Sequence, residues 1–141
     1  MSVNNEDLGH PDKAARFNKD KPKLSLVPVA LTRATARGLE YGMVKYDRDN
    51  YRKGLDWYEI IDSMRRHLEE LGDPDESDVD LESGLHLVDL ICCNAAFLAH
   101  AVEHPERHGY EPPGSATPVD MAEARKRALE LREARDRELA S

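Results

Sequence analysis

The sequence predicts an all-α chain. Apolar residues recur at helical spacing in three stretches, and caps and glycines bound those stretches. No stretch alternates polar and apolar residues as a half-buried strand does. At 141 residues the chain is most simply one domain with a modest core that oligomerisation completes, as a homodimer or homotetramer.

Residues 1–15 are polar and read as a mobile terminus. A basic arm follows, Arg16-Phe17-Asn18-Lys19-Asp20-Lys21-Pro22-Lys23. The first helix is expected from Pro28, which suits a first turn, to about Tyr46. Ala36, Leu39, Met43 and Tyr46 form one stripe, and Leu31, Ala34, Thr35, Gly38 and Gly42 a neighbouring one of mostly small residues. Small residues on a face permit close helix approach or leave room for a flat ligand. The loop 47–54 is rich in donors and turn formers.

Asp56-Trp57-Tyr58-Glu59 announces the second helix, with Asp56 at the cap and Gly72 at the far end. Trp57, Ile61, Met64, Leu68 and Leu71 make its expected core seam, with Ser63, His67 and Glu70 at the seam's edge. The third helix is expected to begin near residues 80–83 and run to about Val102, apolar nearly all round and therefore central. Pro105, Gly109, Pro112, Pro113 and Gly114 mark a linker at 105–117, and 118–141 reads as a charged helical arm. The catalytic domain is thus bounded at 16–104.

The net charge of −8 and a pI of about 5.2 argue against binding a nucleic acid polymer. The charge is uneven: eleven of the twenty Lys and Arg lie between Lys13 and Lys53. Eight carboxylates fall between Glu69 and Glu82, and no Lys or Arg occurs from His67 to Glu106. A basic half facing an acidic half suits an anion carried with its metal. Cys92 and Cys93 are adjacent and form neither a disulfide framework nor a CxxC site, which suits a reducing compartment. The polar start has no secretory pattern, and His86, Asp89 and Asn94 interrupt the longest apolar run, so no membrane partner is expected. A cytoplasmic protein is expected.

The acids of the bend do not make an EF-hand, because the sixth position would be Asp78 and the twelfth Gly84. A stronger pattern spans both helices. His67 and Glu70 are three apart, His86 and Asp89 repeat the spacing, and Glu82 lies one turn earlier. Packed antiparallel, the helices would bring Glu70 and Glu82 together with His86 beyond them. Oxygen ligands dominate, which suits Mg²⁺ or Mn²⁺, and the imidazoles tilt the choice towards Mn²⁺. Lys19, Lys21, Lys45 and Lys53, with Arg48, would hold phosphate oxygens, Asn18 and Asn50 would read a base, and Phe17, Tyr46 or Tyr51 would stack on it.

The run Arg16 to Leu24, then Glu40-Tyr-Gly-Met-Val-Lys-Tyr46, Asn50-Tyr-Arg-Lys-Gly54, Arg66-His67, and Glu82-Ser-Gly-Leu-His86 with Asn94, resembles a phage family of dATP/dGTP diphosphohydrolases. These are relatives of the MazG all-α nucleoside triphosphate pyrophosphohydrolases. The resemblance implies a MazG-like bundle assembled from subunits, working in the host cytoplasm where it is phage-encoded. It also implies Mg²⁺- or Mn²⁺-dependent cleavage of a purine deoxynucleoside triphosphate between the α- and β-phosphates, with two or three ions. In some phages this activity lowers dATP and supplies dGMP for 2-aminoadenine DNA.

MazG proteins carry ExxE and ExxD, whereas this chain has His67-x-x-Glu70 and His86-x-x-Asp89. Glu70 and Asp89 therefore carry over as metal ligands, and His67, His86 and Glu82 as members of the phage variant. Glu69 and Glu40 are the substitutes. Glu70 or Glu82 orients the attacking water. The rival reading is an acidic helical interaction protein that mimics DNA or inhibits a partner without catalysis. Acids on the most apolar helix disfavour it.

Overall fold

The computed structural model describes residues 21–114 and 116–141. The terminus 1–15 and the arm residues Phe17, Asn18 and Lys19 lie outside the described residues. The described residues are all-α, with four helices: α1 Val29–Lys45, α2 Trp57–Gly72, α3 Leu87–Glu103 and α4 Met121–Ala140. Single 3-10 turns occur at Leu24–Leu26, Asn50–Lys53 and Pro105–Arg107. The described residues divide into two compact units, residues 25–113 and residues 21–24 with 114 and 116–141.

In the first unit α3 packs against both α1 and α2, the central position its apolar composition predicts. Pro28 stands at the α1 N-cap, and Asp56 caps α2 by accepting from the N–H groups of Tyr58 and Glu59 at 3.0 and 3.2 Å. The buried apolar set is small: Ala34, Ile60, Leu87, Cys93 and Ala101. The α2 seam is rotated from expectation. Ile60 is buried, whereas Leu68 is 48% exposed, because α3 lies against the edge that also carries Ser63 and His67. Gly38 explains how closely α1 approaches α3: a Cβ there would sit 2.6 Å from Cys93 Cβ and 2.8 Å from the Asp89 carbonyl oxygen.

The start of α3 corrects the sequence reading most. The helix begins at Leu87, not near 80–83, and His86 is its N-cap. Residues 78–87 instead close a tight turn, in which Asp80 N–H donates to Leu85 O and Leu87 N–H to Asp78 O, both at 2.8 Å. An isolated antiparallel bridge pairs Val79 with His86. Asp80 drives this turn by accepting from Ser83 N–H (2.8 Å) and Ser83 Oγ (2.7 Å), and Gly84 supplies the required positive φ of 75°. Local side-chain hydrogen bonding thus outcompetes the helical register.

The segment after α3, expected as linker, folds back onto the bundle. His108 is 1% exposed, its carbonyl accepts from Trp57 N–H at 2.8 Å, and Tyr110 stacks on Trp57 with ring centres 4.1 Å apart.

In the second unit α4 is capped by Asp120, whose Oδ1 accepts from Glu123 N–H at 2.9 Å. It buries none of its residues, and an Arg127–Glu123 pair lies along it. No helix is long and apolar enough to cross a membrane among the described residues.

Candidate functional site

The first unit holds a cavity of about 530 Å³ between the second half of α1, the loop 46–55, and the facing sides of α2 and α3. Small residues make the room: Ala36, Gly38 and Gly42 line it, and beyond its own stretch of helix no described residue lies within 4 Å of a Cβ built on Gly42. Tyr41, Tyr46, Tyr51 and Phe97 give it aromatic walls. Its charged lining residues, Glu40, Lys45, Asp47, Arg48 and Asp49, all come from α1 and the loop after it. The lining contributed by α2 and α3 is Ser63, His67, Leu90, Cys93, Asn94 and Phe97, so that side is apolar with a few polar groups and no Lys, Arg, Asp or Glu.

The loop wall is held from behind. Tyr51 packs on Phe97 and edge-on to His100, with centres 5.3 and 5.1 Å apart. His108 Nδ1 lies 2.9 Å from both the N–H and the carbonyl oxygen of Leu55, and its Nε2 lies 2.8 Å from His100 Nδ1. Gly54, at φ 113°, lies so close to the Arg107 carbonyl that a Cβ would meet the oxygen at 2.2 Å. Burial lowers the His100 pKa, and the neighbouring His104, His108, Arg107 and Arg52 lower it further.

The expected metal ligands are not brought to one point. Asp89, 4% exposed, spends both carboxylate oxygens on Arg37, accepting from Nε at 3.0 Å and from a terminal nitrogen at 2.9 Å. That hydrogen bond raises the Arg37 pKa. Glu82 is exposed and accepts from Lys45 Nζ at 2.5 Å, which raises the Lys45 pKa. His86 Nδ1 accepts from Val88 N–H at 3.1 Å and so serves as a helix cap. Glu70 lies in a separate cleft of about 210 Å³ with Arg66, Glu69, Asp73 and Glu76. His67 lines the main cavity. No group of three or more His, Cys, Asp or Glu is placed to hold an ion among the described residues. The physical reason for two of them is plain: Asp89 and Glu82 take their counter-charges from Arg37 and Lys45 of α1, across the bundle, where sequence distance hid them.

Of the expected substrate-binding residues, Lys45, Tyr46 and Asn50 line the cavity and Lys53 does not. Lys21 belongs to the other unit, where its carbonyl accepts from Arg125 at 2.9 Å. Sequence reasoning passed over Arg37, Ser63, Asp80 and Asn94 as site residues. Burial pushes the Asp80 carboxyl up, but the two Ser83 hydrogen bonds and the charges of His67 and Lys45 outweigh it and hold the group below its usual range. Asp80 therefore stands in the field of the cavity's His67 and Lys45. The Asp-x-x-Ser-Gly turn was its sequence signal. Burial lifts the Cys93 thiol to about 11, which makes it wall rather than nucleophile.

A family model described as dATP/dGTP diphosphohydrolase, N-terminal, matches residues 11–109. No curated protein and no solved structure matches the chain.

Proposed function

The chain belongs to the dATP/dGTP diphosphohydrolase N-terminal family, and from that premise we propose that it hydrolyses purine deoxynucleoside triphosphates to the monophosphate and pyrophosphate. The observation that carries the reading is the lining of the cavity. Its volume lies in the range of small-ligand sites, Tyr41, Tyr46, Tyr51 and Phe97 give it aromatic walls, and Lys45 and Arg48 stand among them. A nucleotide uses both: its flat base stacks on rings, and its polyanionic tail takes cations.

The base enters between Tyr41, Tyr46, Tyr51 and Phe97, and the phosphates face Lys45 and Arg48. Lys45 changes partners: its ammonium leaves Glu82 for the incoming phosphates, and the freed carboxylate orients the attacking water. Glu82 meets the cavity only through Lys45, whereas Glu70 lines a different cleft, and this contact favours Glu82 as the group that orients the water. Water then attacks the α-phosphorus, and pyrophosphate leaves towards Lys45 and Arg48. No nucleophilic side chain is needed.

Mg²⁺ or Mn²⁺ supplies charge neutralisation in such chemistry. In this arrangement the donor set does not fit a resident ion, since Asp89 is taken by Arg37 and Glu70 is set apart. The ion enters as part of the substrate, a metal–nucleotide complex. We also propose that the unit works as a dimer or tetramer. Five buried apolar residues among the described residues make a thin core, and Leu31, Val44, Val88 and Val102 remain exposed on its helices.

A panel of deoxynucleoside triphosphates with Mn²⁺, products resolved by chromatography, tests the activity. dATP and dGTP should be consumed and pyrimidine triphosphates spared. Equal consumption of all four, or of none, would refute the reading.

A further inference from the structure

The α2 and α3 side of the cavity has a peculiarity that nucleotide hydrolysis alone does not explain. Its polar groups are a hydroxyl, an imidazole and an amide: Ser63, His67 and Asn94. They hold unused hydrogen-bonding capacity. His67 lines the cavity with its ring, and its Nδ1 is buried without a partner among the described residues, an unfavourable state. Asn94, 8% exposed, reaches Ser63 Oγ only at 3.4 Å, the long limit for such a bond.

All three groups can reverse their polarity. A hydroxyl rotates, an amide flips and a neutral imidazole changes tautomer, so each presents either a donor or an acceptor. Adenine and guanine require such a reversal. Adenine offers a donor at the 6-amino group and an acceptor at N1, whereas guanine offers an acceptor at O6 and a donor at N1. A fixed charge on this side would favour one of them, as Lys and Arg favour guanine's acceptors and Asp and Glu favour exocyclic amines. The α2 and α3 lining contains no such residue.

We propose that Ser63, His67 and Asn94 form the base-reading floor of the cavity, and that their reversible donor–acceptor character admits both purines to one site. The proposal rests on the nucleotide reading above. A pyrimidine, one ring shorter, falls short of the floor when its phosphates are held at Lys45 and Arg48.

Equilibrium binding tests this apart from catalysis. Calorimetry with dATP, dGTP and dCTP, each with Mg²⁺, is run on the full chain and on Asn94→Asp and Ser63→Ala. The carboxylate of the first variant accepts only, so the ratio of dATP to dGTP affinity should move about tenfold or more, the scale of one good base contact. Ser63→Ala should weaken both purines about tenfold and leave dCTP unchanged. Should Asn94→Asp fail to fold, Ser63→Ala decides alone. Folded variants with wild-type affinities and affinity ratios would overturn the floor and make the Asn94–Ser63 contact a mere link between helices. Absence of turnover with the binding pattern intact would instead overturn the hydrolase reading and leave the floor standing.

Discussion

Two glycines one turn apart on α1 separate packing from ligand space. Replacing either by Ala gains roughly 0.5–1 kcal/mol of helix propensity. At Gly38 the new methyl meets Cys93 Cβ at 2.6 Å and the Asp89 carbonyl oxygen at 2.8 Å, neither of them the free end of a flexible side chain. Overpacking of that kind costs about 1–3 kcal/mol, so Gly38→Ala should lose about 1–2 kcal/mol net. At Gly42 the methyl meets no described residue within 4 Å beyond its own stretch of helix, so the propensity gain survives. Near the size of this chain 1 kcal/mol shifts Tm by roughly 3 °C. Thermal melting by circular dichroism should therefore show Gly38→Ala about 3–6 °C below wild type and Gly42→Ala about 2–3 °C above it. Equal upward shifts for both would refute the α1–α3 approach described here.

The Arg37–Asp89 pair gives a prediction of order. Arg37→Ala strands a buried carboxylate, whereas Asp89→Asn leaves only a half-exposed guanidinium, so the first should lower Tm more than the second, in EDTA as in Mn²⁺. A rise in Tm for Asp89→Asn in EDTA would mean that uncompensated like charges surround it after all. For His100 the folded pKa lies below the ordinary 6.5, so the unfolded chain binds more protons in that window. Stability should be complete above about pH 6.5 and fall as the pH drops towards the folded value, and a melting series on His100→Gln should flatten that slope. Mn²⁺ alone should leave Tm nearly unchanged, while Mn²⁺ with a non-hydrolysable dATP analogue should raise it saturably. A large shift with Mn²⁺ alone would mean that the donors converge on an ion without substrate.

The helical class, the Asp56 cap and the central place of α3 were legible because they follow from local periodicity and local hydrogen bonds. The stripe of small residues was legible too, and both of its readings hold at different positions: Gly38 gives close approach and Gly42 gives cavity. The start of α3 was not legible, since Glu82, His86 and Asp89 fit a helical stripe until Asp80 and Ser83 claim the backbone for a turn. The pairing of Asp89 with Arg37 was hidden for a different reason. Those residues are 52 positions apart, and helix spacing carries no information about which partner faces a carboxylate across a bundle. The same holds for Ser63 and Asn94, which meet only when α2 and α3 pack.

Hydrolysis of dATP in ¹⁸O-labelled water, with products weighed by mass spectrometry, tests the central claim most directly. Attack of water on the α-phosphorus predicts one ¹⁸O in dAMP and unlabelled pyrophosphate. Labelled orthophosphate with dADP would contradict it.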